Sequence, residues 1–303
     1  MTDFVAKHNE RNPGDEVLYL NIAANDGSLT NDKCEYWHFR FSSHNDMKTA
    51  AMITYIAEQL GIKKVFLLNP DYTAGRAVAD LVVKELPKKR PDIQIVGNEL
   101  FPVFKVTDFS PYIAKINASG ADGVITSAFA QDMALIMKAA GDANLKDKFF
   151  TFYANNPGGP TAMKQAGMDH QVFNLVDTFA NNPPGIPLQK EFRDKNGFSL
   201  MVPGVMLSID YLSEAIRKTG SADPVKLAKA LEGMQLQTFN GDTGLMRKDD
   251  HQYFENLYMT TLGPVTGAAP LDEEHTGWGW LPVQTVGASN IMLPTTCRMS
   301  RPE

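Results

Sequence analysis

The segment that most restricts what this chain can fold into is Ile62–Leu86, where an apolar run, a short polar loop and a helical stripe follow one another without slack. Val65, Phe66, Leu67 and Leu68 leave no polar position, the pattern of a strand covered on both faces rather than one with a wet side. Asn69-Pro70-Asp71 breaks the run. Gly75 lets a helix begin close to the strand end, and Val78, Leu81, Val82 and Leu86 then mark one helical face. Ligands of open α/β sheets lie at such loops, beyond the carboxyl ends of the strands. Asp71, Tyr72, Thr73 and Ala74 are therefore the first functional candidates, against the plainer possibility of a surface turn that happens to carry a tyrosine.

The same unit repeats downstream. Ile93–Val96 reads as a strand, and Asp108 with Ser110-Pro111 opens a helix whose stripe is Phe109, Tyr112, Ile113 and Ile116. Gly123–Ser127 is the next strand, followed by a helix striped by Met133, Ile136, Met137 and Ala140 and stopped by Gly141. Phe149–Tyr153 leads into the loop Ala154–Pro160, and Val172–Val176 closes the series. Strands alternating with helices of this length predict an α/β fold, a parallel sheet flanked by helices with right-handed crossovers.

Around this series the pattern is looser. A short helix over residues 3–12, a strand Val17–Ile22, an extended stretch Tyr36–Phe41 and a helix Asp46–Leu60 precede it. Asn181–Pro187 reads as a stiff linker. Helices Leu207–Lys218 and Pro224–Leu231 follow, then extended Gly- and Pro-rich segments from Gly241 and a tail, Leu281–Glu303, with no helical stripe.

Several function classes are disfavoured. At 303 residues the chain can bury one large core or two medium ones. A net charge of −6 argues against nucleic acid, which wants clustered cations. The basic run Lys88-Lys89-Arg90, set between Pro87 and Pro91, reads as a solvated turn after a helix. No stretch reaches the roughly 18 apolar residues of a membrane span, and Met1–Glu16 is polar, without the apolar centre of a secretory signal. There is no Gly-rich phosphate loop and no GxSxG elbow. The histidines at 8, 38, 44, 170, 251 and 275 lack metal-ligand spacing, so no metal, no cofactor and no catalytic residue is expected. His251, in Arg247–Gln252, reads as a hydrogen-bonded structural histidine. Cys34 and Cys297 leave two possibilities open, one disulfide or two reduced thiols.

Taken together, GIKKVFLLNPDYTAGRAVAD, DFSPYIAKINASGADGVIT, the Asn25–Thr30 loop and the Arg247/Asp250-His251-Gln252 segment resemble type I periplasmic solute-binding proteins of ABC transporters, in the group that includes branched-chain amino-acid receptors. The resemblance extends over nearly the whole chain from Val17. It implies a two-lobed fold with three crossing segments and a ligand cleft between the lobes. Lobe one would be residues 1–61 and 184–240, lobe two 62–183 and 241–281, and 282–303 a C-terminal tail. Tyr36–Phe41 would be the first crossing, Asn181–Pro187 the second, and the third would follow Asn240. The family has further strand–helix units ahead of the one matching Val17–Ile22, so lobe one is expected to be incomplete here.

The resemblance also assigns residues. Ala23, Ala24 and Asn25 match the segment that holds a ligand carboxylate and amine. Tyr72 and Ala74 lie in the loop whose aromatic, at the Ala74 position, usually lines the cleft, and Phe129 matches an aromatic that packs on ligand. Asn156 stands where the family has an acid for an α-ammonium group. The expected function is an extracytoplasmic, periplasmic receptor, monomeric, that takes a small organic acid, amide or amino acid and delivers it to an ABC permease. A ligand-sensing domain of a regulator or signalling receptor with the same fold is the alternative, and an enzyme on a Rossmann-like sheet is less favoured. In such an oxidising compartment Cys34 and Cys297 are expected to be paired.

Overall fold

A strand with no polar position needs helices on both faces, and the computed structural model, which describes residues 1–302, supplies them. The chain forms two compact units: Met1–Met47 with Val202–Asn256 and Gly287–Glu303, and Lys48–Met201 with Leu257–Val286. In chain order, α1 (Thr2–Arg11), β1 (Tyr19–Asn21), β2 (His38–Arg40) and α2 (Asn45–Glu58) come first. The expected alternation follows as β3 (Lys64–Pro70), α3 (Thr73–Lys89), β4 (Gln94–Phe101), α4 (Ser110–Ser119), β5 (Gly123–Ile125), α5 (Ala130–Asp142), β6 (Lys148–Thr151), α6 (Gly159–Gln165) and β7 (Val172–Val176). Then come α7 (Ile186–Asn196), α8 (Gly204–Thr219), α9 (Pro224–Leu231), β8 (Gln235–Gln237), β9 (Thr243–Met246) and β10 (Tyr253–Phe254). The chain continues through β11 (Leu257–Pro264), β12 (Trp278–Val286) and α10 (Ala288–Ile291).

The second unit is built on one sheet of order β12-β11-β7-β6-β5-β3-β4. Strands β4, β3, β5, β6 and β7 run parallel, whereas β11 pairs antiparallel with both β7 and β12. Its core joins Phe66, Leu68, Val124 and Phe149 of the strands to Met133, Ile136, Met137 and Ile116 of the helices, as their spacing predicts. Gly75 is required by close approach: a Cβ there would sit 2.0 Å from the Pro70 carbonyl oxygen, so α3 can start tight against the end of β3 only with glycine. The helix runs on through Pro87 to Lys89, so Lys88 and Lys89 lie on its last turn instead of in a loop, where cations suit the carbonyl end of the helix dipole.

The first unit holds a parallel β1–β2 pair and an antiparallel sheet of order β10-β9-β8. Phe39 and Phe41 pack there with Leu207, Tyr211, Leu227 and Leu231 of α8 and α9.

These units divide elsewhere than the sequence suggests. Tyr36–Phe41 lies wholly inside the first unit, because β2 pairs with β1. Asn181–Pro187 lies inside the second unit, where Asn181 Nδ2 donates to the carbonyls of Leu271 (2.8 Å) and Trp280 (3.1 Å) and its Oδ1 accepts from Leu271 N. The prolines that suggest a linker instead open α7, with Pro187 in the first turn, where a missing N–H costs nothing. Residues 241–256 belong with the first unit through β9 and β10, and the tail from Gly287 joins it too.

Candidate functional site

In the second unit, buried polar side chains fix the loops beyond the parallel strands. Asn69, at the end of β3, accepts hydrogen bonds through Oδ1 from both the amide and the hydroxyl of Ser127, each at 2.8 Å. Asn174 Oδ1 accepts from Ala154 N at 3.2 Å, beyond β6. Side chains from four strand ends, those of β3, β4, β5 and β6, come together here. Phe129 is the hub: its ring centroid lies 5.1 Å from Phe104, 6.0 Å from Tyr72 and 6.3 Å from Tyr153. Asn156 is beside them, its Oδ1 3.4 Å from the amide of Ala130. Burial, and then the neighbouring Tyr153, push the Tyr72 hydroxyl up to about 12, so it stays a neutral donor at physiological pH.

Behind the rings is a buried ion pair. Lys48 Nζ donates to Asp177 Oδ2 at 2.6 Å and lies 5.8 Å from the Tyr153 ring centroid. Burial pulls the Lys48 ammonium down, but Asp177 and Tyr153 outweigh it and leave its pKa raised. Of the other acids here, Asp71 pairs with Arg76 at 2.6 Å, and buried Asp132 accepts from the amide of Phe104 at 3.0 Å. That bond holds Phe104 at φ +55, next to Ala130 at φ +48. Left-handed backbone at such residues costs roughly 1–3 kcal/mol each and clusters at ligand-binding positions.

In the first unit, the loop that the resemblance assigns to ligand is held by its own neighbours. Asn21 Oδ1 accepts from the amides of Ala23 (3.2 Å) and Ala24 (2.8 Å), and Asn25 Oδ1 accepts from Ser42 Oγ at 3.1 Å. Arg40, fully buried, donates to the carbonyls of Ala24 and Asp26 and, at 2.7 Å, to Gln252 Oε1. Burial brings its guanidinium down to about 10, and it remains charged at neutral pH. His38 beside it is brought to about 3, chiefly by burial, and is a neutral ring. His251 is structural, as read from the sequence: it stacks on Phe39 at 4.0 Å and meets Glu232 at 3.1 Å.

The structure thus brings Tyr72, Phe129 and Asn156 together and adds Phe104, Tyr153, Lys48 and Asp177, which the sequence did not single out. Ala74 is half-buried in the first turn of α3. Ala23, Ala24 and Asn25 form a separate group in the first unit. Among the described residues no set of His, Cys, Asp or Glu side chains could hold a metal ion, and no helix is long and apolar enough to cross a membrane.

A separate small depression in the second unit is lined by Arg193, Phe198, Ser199, Glu273 and Glu274. Glu273 is buried and accepts from Ser199 Oγ at 2.7 Å. Burial pushes its carboxyl up to about 7 from 4.5, with Ser199 and Arg193 opposing. The folded state therefore keeps this proton up to about pH 7, while the unfolded chain releases it near 4.5. Between those values the folded state binds more protons at this group, so its own contribution to stability falls as pH rises through the window, by up to about 3 kcal/mol, while the buried neutral His38 contributes the opposite slope below about 6.5. Glu273→Gln is expected to remove this contribution and stabilise the protein at pH 8, measured as the difference from the parent in urea unfolding at both ends of the range. An unchanged slope would show that Glu273 is not its source.

A parallel sheet with aromatic side chains gathered at its strand ends suits a binding protein, and the comparisons agree. The family model described as periplasmic binding protein matches residues 2–267. The chain belongs to that family. It is 31% identical over 312 residues to the Leu/Ile/Val-binding protein homolog 4 of Brucella abortus (strain 2308), covering 100% of this chain and 73% of that one. The crystal structure of a leucine-, isoleucine-, valine-, threonine- and alanine-binding protein from Brucella ovis, in a closed conformation, superposes with a TM-score of 0.87 at 30% identity, over 99% of this chain and 78% of that one. A solute-binding protein of an ABC transporter from Rhodopseudomonas palustris BisB5, in complex with 3,4-dihydroxybenzoic acid, shares the fold at TM-score 0.75 and 19% identity, over 94% and 75%. This is a family of binding proteins, and the chain is not an enzyme. The disulfide expected from the resemblance is present, joining Cys34 to Cys297 across 263 residues.

Proposed function

We propose that this protein is a periplasmic solute receptor that binds a small polar organic molecule, an organic acid, amide or amino acid, and delivers it to an ABC permease. The observation that carries the reading is the group of Tyr72, Phe129, Tyr153 and Asn156, all partly exposed at the strand ends of a periplasmic-binding-protein sheet. The names of the relatives support it: the Brucella proteins are called binding proteins for leucine, isoleucine and valine, and the Rhodopseudomonas protein holds an aromatic acid. Partly exposed rings beside polar groups that the fold already positions are what a preformed small-molecule site offers.

A thermal-shift screen of amino acids, amides and small carboxylates against the full chain tests the binding step. A solute at a hundred times its Kd stabilises by about 2.7 kcal/mol, a shift of roughly 4 °C for a protein of this size. One chemical class is expected to give such a shift and the rest none. Delivery is tested by solute uptake into vesicles carrying the permease: uptake that does not depend on adding this protein would exclude the transport role and leave a sensing one.

A further inference from the structure

We infer that the ring cluster of the second unit takes an aromatic carboxylate and not an α-amino acid, an assignment that rests on the receptor reading above. Phe104 forms one side of the cluster. Its ring is 51% exposed, yet it is held in place by the Asp132 bond to its backbone and lies edge-on to Phe129 at 77°. Phe129 in turn meets Tyr72 and Tyr153 at 60° and 73°. A flat aromatic solute makes edge-to-face contacts with such rings, which a branched aliphatic side chain cannot supply.

The charges around the cluster point the same way. An α-ammonium group entering a dry site needs a carboxylate, because an unpaired buried charge is costly. Of the acids beside the cluster, Asp71 is paired with Arg76 and Asp177 with Lys48, while Asp132 accepts from the Phe104 amide through Oδ2 and keeps its unpartnered Oδ1 buried, away from the exposed rims of the rings. The uncommitted groups on the partly exposed residues of the cluster are donors. Among the described residues the Tyr72 hydroxyl has no hydrogen-bond partner, and Asn156 spends only its Oδ1, on Ala130 N, leaving the amide NH2 unused. Two free donors beside rings set edge-on and tilted to one another recognise an acceptor head on a ring body, which is a benzoate-like solute. Tyr72 and Asn156 would bind the carboxylate, and Phe129 and Phe104 the ring.

Calorimetric titration of the full chain with benzoate, cyclohexanecarboxylate and leucine tests this. Benzoate should bind, cyclohexanecarboxylate about tenfold more weakly or worse, and leucine not at all. Tyr72→Phe removes a donor, and Asn156→Asp sets a like charge against the carboxylate; each should weaken benzoate at least about tenfold. Phe104→Leu, at an exposed position, keeps the fold and should weaken benzoate while leaving the unliganded melting midpoint in place. Leucine bound in preference to benzoate would overturn the aromatic assignment and leave the receptor reading standing. Benzoate affinity unchanged in both Tyr72→Phe and Asn156→Asp would also overturn it, by placing the solute elsewhere. Binding of no solute from the wider screen would remove the receptor reading and this inference together.

Discussion

Asp177→Asn is expected to lower the stability of the second unit by about 3–5 kcal/mol, because it strands the buried Lys48 ammonium without its counter-charge. The side chain of Lys48 is 6% exposed and its Nζ is 2.6 Å from Asp177, so water cannot take over the role of the carboxylate without the structure opening. The two charges together are a different matter. A well-packed apolar pair of similar volume in the same place is often neutral or stabilising, since neither charge then has to be desolvated. The double variant Lys48→Met/Asp177→Leu should therefore recover most of what Asp177→Asn loses. Trp278 and Trp280 report on this unit. Urea unfolding followed by their fluorescence gives the comparison, and a single variant within about 1 kcal/mol of the parent would contradict a buried, mutually dependent pair. In the parent protein, the raised Lys48 pKa contributes stability that is complete below 10.5 and is lost only as pH rises through the still higher folded value. The pair is thus silent across the neutral range.

Lys48 and Asp177 also mark the limit of what the sequence discloses. The strand Val65–Leu68 and its Gly75–Leu86 helix were legible because burial on both faces removes every polar position and close approach demands glycine, both local signals. Tyr72 was legible because it follows a strand of the parallel series, whereas Phe129 and Asn156 were named only through the resemblance. Partners brought together from far apart in the chain leave no such trace: Lys48 and Asp177 are 129 positions apart, Arg40 and Gln252 212. The available hint for Arg40 was its place in a strand between Phe39 and Phe41, where an arginine must be buried and matched. Strand β8, Gln235-Leu236-Gln237, is too short and polar to read as a strand, so the sheet it forms with β9 and β10 went unseen and residues 241–256 were assigned to the wrong unit. Helix α7 was missed for the opposite reason, since prolines that do suit a linker also suit a first turn.

The second large effect belongs to the first unit. Reduction of Cys34–Cys297, or the double variant Cys34→Ser/Cys297→Ser, is expected to destabilise by about 4–5 kcal/mol on the chain-entropy model, because the bond spans 263 residues of the unfolded chain. Both cysteines lie in the first unit, so that unit should carry the loss. If it opens while the second unit stays folded, the free loop is shorter, but the entropy varies only with the logarithm of loop length and falls by well under 1 kcal/mol per halving. The bond is one of several ties on the tail. Thr295 Oγ1 donates to the Thr30 carbonyl at 2.8 Å, the Thr296 amide to Asn31 Oδ1 at 3.1 Å, and Arg247 to the Leu293 carbonyl at 2.8 Å. Each is a single hydrogen bond worth about 1 kcal/mol net, well below what the covalent link contributes. Calorimetry with and without reductant should show a transition moving down by roughly 10 °C or more, while one from the second unit stays in place. Thiols that titrate in the native, unreduced protein, or a melting profile indifferent to reductant, would refute a structural role for the bond.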